Sequence, residues 1–351
     1  MLKFKRLNQT RGSILKKIII FTAFILTCKI TNAQDPVFSQ FYNSPLQMNP
    51  AFAGSTNGPL FHLNYRNQWP GLGQIYTTYA LSYSQFLGQI NSGLGFSLLT
   101  DNAGDGILKT TRIAGNYAYR LKINQHTYIK GGIEVGLGNM SLDWDRFTFG
   151  DAIDPRLGSV SPGGAPFPSR ESRPEYGSLN YLLISSGVLL SHPDYYAGIG
   201  LRNLNTPDIS FANGNSGQSN KDSFLPVLMS LHGGFKIVLQ KGNKNNDDTF
   251  LMPNLLFTTQ GGYSQLNSGA VLSLDKIFFG AWYRVSGWAG DALIGSVGVR
   301  KDFIKITYSF DYTTSALSIR QGGSHEVGIV LNFDEFFPVK TNYNDCFNIF
   351  R

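Results

Sequence analysis

The densest group of residues able to do chemistry lies between 141 and 178, where Asp143, Asp145, Asp151, Asp154, Glu171 and Glu175 stand beside Arg146, Arg156, Arg170 and Arg173. Four aspartates in so short a stretch offer hard oxygen ligands of the kind Ca²⁺ takes. Their spacing is not that of an EF-hand loop, however, and the interleaved arginines compete for the same carboxylates. A long loop laced by paired charges and carrying Pro and aromatic residues suits contact with a protein partner better. Trp144, Arg146, Asp151, Asp154, Arg156, Arg170 and Arg173 are its candidate contact residues. Trp69, closing the run Tyr65-Arg66-Asn67-Gln68-Trp69-Pro70, joins them because Trp is a favoured interface anchor. Arg66 in the same run needs a carboxylate, more readily one inside the fold than one on a partner.

Other chemistry is not nominated. His62, His126, His192, His232 and His325 are scattered without HExxH or Cys/His spacing, so no metal site is expected. No GxSxG, P-loop or GxGxxG occurs, and the pairs Gly93/Gly95, Gly136/Gly138 and Gly198/Gly200 fit kinks in curved strands better than phosphate cradles. The expectation is a protein without cofactor and without catalytic residues. Nucleic acid is excluded as a partner by where the charge lies. Of the 30 basic residues, seven fall within 1–33, which holds no acid, and the remaining 23 face 23 acidic residues. The formal charge of +7 therefore belongs to the leader and not to the body of the chain.

That leader has a basic start, an apolar stretch from Ile18 to Cys28, and Thr31-Asn32-Ala33 before Gln34. This is the three-part pattern of a secretory signal peptide, with cleavage expected after Ala33. The apolar stretch is too short for a membrane-spanning helix, and no second long apolar run follows.

The elements that must position the charged loop are strands. From Arg112 to Ile123 one set of alternate residues reads Ile113, Gly115, Tyr117, Tyr119, Leu121, Ile123, and the other reads Arg112, Ala114, Asn116, Ala118, Arg120, Lys122. Phe303–Tyr312 and Glu326–Phe333 repeat the pattern. Fourteen such stretches are expected near 59–66, 76–86, 91–100, 107–122, 126–140, 179–190, 194–202, 225–241, 251–261, 264–274, 277–284, 291–301, 303–312 and 324–333. Charged residues make up only 15% of the chain, against roughly 25% in soluble domains. Connections also sort by parity: 141–178 and 203–224 are long and lie on one side, whereas 87–90, 123–125, 191–193 and 301–302 are short and lie on the other. Only the polar turn 241–250 breaks the rule. The pattern predicts an all-β chain forming a transmembrane antiparallel β-barrel of about fourteen strands over 59–333, long loops outward. Trp69, Trp144, Trp282, Trp288 and many Tyr and Phe residues would then supply interfacial girdles facing outer-membrane lipid.

Residues 34–58 precede the first strand. Pro36, Pro45 and Pro50 break any long helix, while Phe38, Phe41, Tyr42, Leu46, Met48 and Phe52 offer apolar contacts. The segment is expected to plug or cap the barrel, with Phe38, Phe41, Tyr42, Asn49 and Pro50 as its characteristic residues. Residues 334–351, with Cys346, are expected as a periplasmic tail.

The opening Gln34-Asp35-Pro36-Val37-Phe38-Ser39-Gln40-Phe41-Tyr42-Asn43-Ser44-Pro45-Leu46-Gln47-Met48-Asn49-Pro50-Ala51-Phe52-Ala53-Gly54 closely resembles that of the PorP/SprF family of type IX secretion-associated outer-membrane proteins. Further matches are Tyr65–Pro70, Phe149-Gly150-Asp151-Ala152-Ile153-Asp154, Gly280-Ala281-Trp282-Tyr283-Arg284 and Gly323-Ser324-His325-Glu326-Val327. Ala152 departs from the pattern, which has Gln there. The resemblance implies an outer-membrane barrel that works with the type IX secretion machinery and with a secreted, adhesin-type cargo carrying the corresponding C-terminal domain, without enzymatic activity. A competing expectation is an outer-membrane channel or hydrophobic-compound transporter, which would share the barrel, the plug and an Asn-Pro-Ala segment.

Overall fold

The computed structural model describes residues 35–72, 76–174, 176–211, 223–243, 247–287, 289–314 and 321–337. The leader, Glu175, Trp288 and Cys346 lie outside these residues.

Fifteen strands follow in order: β1 (Leu60–Gln68), β2 (Tyr76–Leu87), β3 (Ser92–Ala103), β4 (Leu108–Lys122), β5 (Tyr128–Leu142), β6 (Ser178–Ser191), β7 (Tyr195–Arg202), β8 (Leu228–Phe235), β9 (Ile237–Gln240), β10 (Thr249–Gln260), β11 (Tyr263–Leu274), β12 (Ile277–Ser286), β13 (Ala289–Lys301), β14 (Ile304–Thr313) and β15 (Ser324–Asn332). All pairings are antiparallel, and β15 returns to β1 in the register Leu60↔Asn332 through Gln68↔Ser324, so the sheet closes. β8 and β9 both pair with β10 and are two parts of one stave, which makes the closed barrel fourteen staves, as the alternation predicts. The break falls at Phe235–Lys236, where the register sets Phe235 across from Pro253 of β10. Pro brings no N–H to the ladder, while on the other side the Lys236 N–H donates to the Asp194 carbonyl at 2.6 Å and continues the pairing with β7.

The alternation resolves into a polar inside and an apolar outside. On β4, Arg112, Ala114, Asn116 and Ala118 are buried, whereas Ile113, Tyr117, Tyr119 and Leu121 are exposed. On β14, Lys305, Thr307, Ser309 and Asp311 are buried while Ile306, Tyr308 and Tyr312 are exposed. In water this arrangement would be inside out; in a bilayer it places apolar side chains against lipid and leaves no unpaired sheet edge. Among the described residues no helix is long and apolar enough to cross a membrane, so strands are the crossing elements.

Connections between staves open at two mouths. Residues 143–174, 203–211 and 223–227 lie at one mouth, and the turns 88–91, 123–127, 192–194 and 302–303 at the other. Residues 35–58 fill the space between. They carry a one-turn α-helix, α1 (Pro45–Met48), flanked by 3₁₀ turns at Phe41–Asn43 and Pro50–Phe52. Pro45 and Pro50 open their turns, where a missing N–H costs nothing.

One aromatic assignment needs correction. Trp282 faces the lumen and not lipid. It is 2% exposed, stacks on Tyr42 with ring centroids 5.3 Å apart, meets Phe41 edge-on, and donates its indole N–H to Asn254 at 2.7 Å. On β12 the outward phase belongs to Ile277, Phe279 and Tyr283, all exposed. A Trp on the opposite phase needs an interior partner for its N–H, and Asn254 provides it.

Candidate functional site

The lumen is built around residues 35–58, which run along its full height. At the long-loop mouth the Asp35 carboxylate accepts from Arg112 on β4 and from Asn203 just past β7 (2.8 Å), and its backbone N–H donates to Gln260 at the end of β10 (2.8 Å). Burial alone raises the Asp35 pKa. The Arg112 guanidinium beside it, with help from Arg202 and Asn203, outweighs that penalty and brings the carboxyl down to about 2. Phe38 then packs on Ala80 and Leu99. Phe41, Tyr42, Leu46, Met48 and Phe52 enter one buried cluster with Trp282 and other wall residues. Each such burial is worth roughly 1.5–3 kcal/mol.

Asn49 is the polar pivot of the segment. Its side-chain oxygen accepts from the Ala51 N–H (2.8 Å) and caps the turn that begins at Pro50. Its amide donates to the carbonyls of Val188 (3.0 Å) and Ile199 (3.1 Å) and lies 3.1 Å from His232 Nε2. At the short-turn mouth the Asn57 and Gly58 N–H groups donate to Asp334 at 2.8 and 3.1 Å. The segment thus meets wall residues from one mouth to the other.

Charged side chains hold it in place. Arg66 bridges Asp311 and Glu326, each at 3.1 Å, and donates to Ser39 Oγ at 2.5 Å. Arg66 therefore finds its carboxylates inside the barrel. Arg284 joins the same group through Asp311, and through Ser39 Oγ at 3.1 Å. Deeper in the lumen, Glu134 accepts from Ser185 (2.9 Å) and Arg202 (3.4 Å), while Arg202 also donates to the carbonyl of Gln47 at 2.9 Å. Lys130 donates to the Gly54 carbonyl at 3.0 Å. Buried ions persist only when paired in this way.

Outside the lumen, the 143–177 loop is tied by charged contacts within itself and to the β3–β4 turn. Arg146 reaches Asp105 on the β3–β4 turn at 2.7 Å, and Arg173 reaches Asp145 in a two-pronged contact of 2.9 and 3.1 Å. Asp151 accepts from the Arg170 N–H (2.6 Å) and the Ser169 hydroxyl (2.8 Å), hydrogen bonds that hold its carboxyl below the usual range. Asp154 accepts from the N–H groups of Arg156 and Leu157 and folds its own turn. Trp144 clusters with Phe147 and Phe149 at centroid distances of 5.8 and 4.9 Å. Arg146, Asp151, Arg170 and Arg173 are thus tied into one loop, and Arg156 is exposed on it. Trp69 stands apart at the β1–β2 connection, with positive φ, packed edge-on against Tyr76. Among the described residues no group of His, Cys, Asp or Glu is arranged to hold a metal ion.

Sequence reasoning did not single out Asp35, Glu134, Arg112, Arg202, Asp311 or Glu326 as site residues. Their signal was partial: Arg202 of β7 and Glu326 of β15 are lone charges on the phase that faces inward, whereas Arg112 shares that phase of β4 with Arg120, Glu134 that of β5 with Lys130, and Asp311 that of β14 with Lys305.

The fold and this filled interior define a plugged outer-membrane β-barrel. The family described as "Type IX secretion system membrane protein PorP/SprF" matches residues 30–331, and the chain belongs to it. It is accordingly an outer-membrane protein of the type IX secretion system. A search of curated protein sequences finds no match. Among solved structures the chain is similar to the Ralstonia pickettii toluene transporter TbuX, at 11% identity and TM-score 0.45, over 82% of this chain and 92% of that one. It is also similar to the Acinetobacter baumannii outer membrane protein Omp33, at 8% identity and TM-score 0.39, over 78% and 97%. The KdgM porin matches at 10% identity and TM-score 0.33, over 78% and 99%.

Proposed function

We propose that this barrel binds a secreted, adhesin-type protein of the type IX system through that protein's C-terminal domain, and helps export it or hold it at the cell surface. The observation that carries this reading is the occupied lumen: residues 35–58 meet the wall from one mouth to the other. A solute crossing here would have to displace buried aromatic packing, the buried Arg112–Asp35 pair and the hydrogen bonds that Arg66, Arg202, Lys130 and Glu326 make to the segment. That weighs against the channel or hydrophobic-compound transporter and leaves the long-loop mouth as the working surface. In this reading the long loops face outward, residues 1–33 are removed on export, 334–351 face the periplasm, and the exposed apolar side chains anchor the barrel in lipid. The role is one of recognition and not of catalysis.

The 143–177 loop suits a protein partner. Its limbs are fixed by Arg146–Asp105 and Arg173–Asp145, and it presents Phe147, Ile153, Leu157 and Val160 to solvent. Preorganised loops with exposed apolar side chains lose little entropy on docking. Deleting Asp151 to Arg173 is expected to leave a folded barrel and to abolish retention of the secreted protein on cells, measured by surface immunoblot and by mass spectrometry of what co-purifies with the tagged barrel. Retention at wild-type level in that deletion would remove the loop as the binding site.

A further inference from the structure

The residues that the N-terminal segment grips are not spread evenly around the wall. The hydrogen bonds of residues 39–43 to side chains fall mainly on β14 and β15, the last two strands, with Arg66 of β1, the first, also donating to Ser39. Arg66 and Glu326 are register partners across the joint where β15 meets β1. Both side chains point inward and both are buried. The Glu326 carboxylate accepts from the Ser39 N–H (2.9 Å), the Gln40 N–H (2.9 Å) and Arg66 (3.1 Å). The Gln40 side-chain amide donates to the Glu326 carbonyl and to Ser309 Oγ on β14, each at 3.0 Å. Asn43 donates to Thr307 on β14 at 2.5 Å, and Thr307 in turn donates to Gln40. At the opposite mouth Asp334, just past β15, accepts from the backbone ahead of β1.

We propose that residues 39–43, with Asn57 and Gly58, form an internal clasp that closes the barrel by binding the final strands to the first. The physical case rests on distance along the chain and on buried charge. Arg66 and Glu326 lie 260 residues apart, so β1 and β15 meet only at the entropic cost of the largest loop in the fold. Without the segment, two of the three donors to the Glu326 carboxylate are lost, and the joint keeps only Arg66 as a cross-strand partner on its lumenal side, facing water. With the segment in place, Ser39 and Gln40 present two backbone N–H groups to Glu326 of β15, and Asn57 and Gly58, just ahead of β1, present two more to Asp334 just past it. On this view residues 39–43 act during folding, as a ligand for the closing strand.

The test compares two buried lumenal carboxylates. Glu326→Ala removes the clasp's acceptor at the joint, whereas Glu134→Ala removes a carboxylate of β5 that pairs with Arg202 and Ser185, far from the joint. The readout is the temperature at which the full-length barrel, refolded in detergent, loses its compact, fast-migrating form on SDS gels. Glu326→Ala is expected to lose it at least about 5 °C below Glu134→Ala. A barrel with 35–57 replaced by a Gly/Ser linker of equal length is expected to yield no compact form. Equal shifts for the two alanine variants, or a compact form from the linker barrel, would overturn the clasp. Cargo retention is not used in the readout, so the result stands apart from the proposed binding role.

Discussion

Asp35 is the buried charge whose pH behaviour can be read most directly. Its carboxyl titrates near 2 in the folded barrel, below an unfolded value close to 4. A depressed folded pKa means that the contribution is fully present above about pH 4 and disappears as pH falls through about 2. The difference amounts to about 2.5 kcal/mol. Asp35→Asn is therefore expected to lower the gel-shift midpoint at pH 7 and to lose that deficit as the pH is taken from 4 to 2, where wild type falls to meet it. A deficit that stays constant across this window would assign Asp35 a packing role only. The sequence displayed Asp35 between Gln34 and Pro36 without any sign of its partner, because Arg112 lies 77 positions away and only the threading of the segment joins them. Trp282 was legible as a strand residue and misleading as a girdle residue for a related reason. Period two says which residues share a face; the position of lipid must come from the neighbours, here exposed Phe279 and Tyr283.

At the scale of elements, the strands were legible nearly throughout, since each alternates for most of its length and ends at turn residues. The departures have local causes. Pro253 splits one stave, and the N-terminal segment has no period from which its path could be inferred. What seats that segment is a set of wall glycines. A Cβ on Gly132 of β5 would lie 2.3 Å from the backbone N of Ala51, and one on Gly93 of β3 would lie 2.2 Å from the carbonyl O of Ala53. Backbone cannot yield to such an approach as a flexible side chain can. Gly115 of β4 faces outward, and a Cβ there meets nothing within 4 Å. Gly132→Ala is thus expected to displace the segment and lower the gel-shift midpoint by several degrees, about 1–3 kcal/mol of overpacking. Gly115→Ala is expected to be neutral or slightly stabilising. Equal behaviour of the two would mean that the segment does not rest against β5.

For the whole molecule, the path of residues 35–58 fixes at which mouth each of its ends is held. Asp35 is bonded at the mouth where β4 begins and β7 and β10 end, and Gly58 is bonded at the mouth where β15 ends. With the long loops outward, Asp35 lies at the cell-surface mouth while β1 starts at the periplasmic mouth. A barrel that closes around the segment reaches this arrangement without drawing a free end through a finished pore, which links the topology to the clasp. Short epitope tags make the claim measurable on intact cells. A tag directly ahead of Asp35 and one between Gly163 and Gly164 are both expected to bind antibody without permeabilisation. A third, in the turn between Asn124 and Gln125, should bind only after it. Labelling of the loop tag without the Asp35 tag would mean that the segment does not thread the lumen in cells. Labelling of the turn tag alone would reverse the barrel's orientation and move the proposed cargo surface to the periplasm.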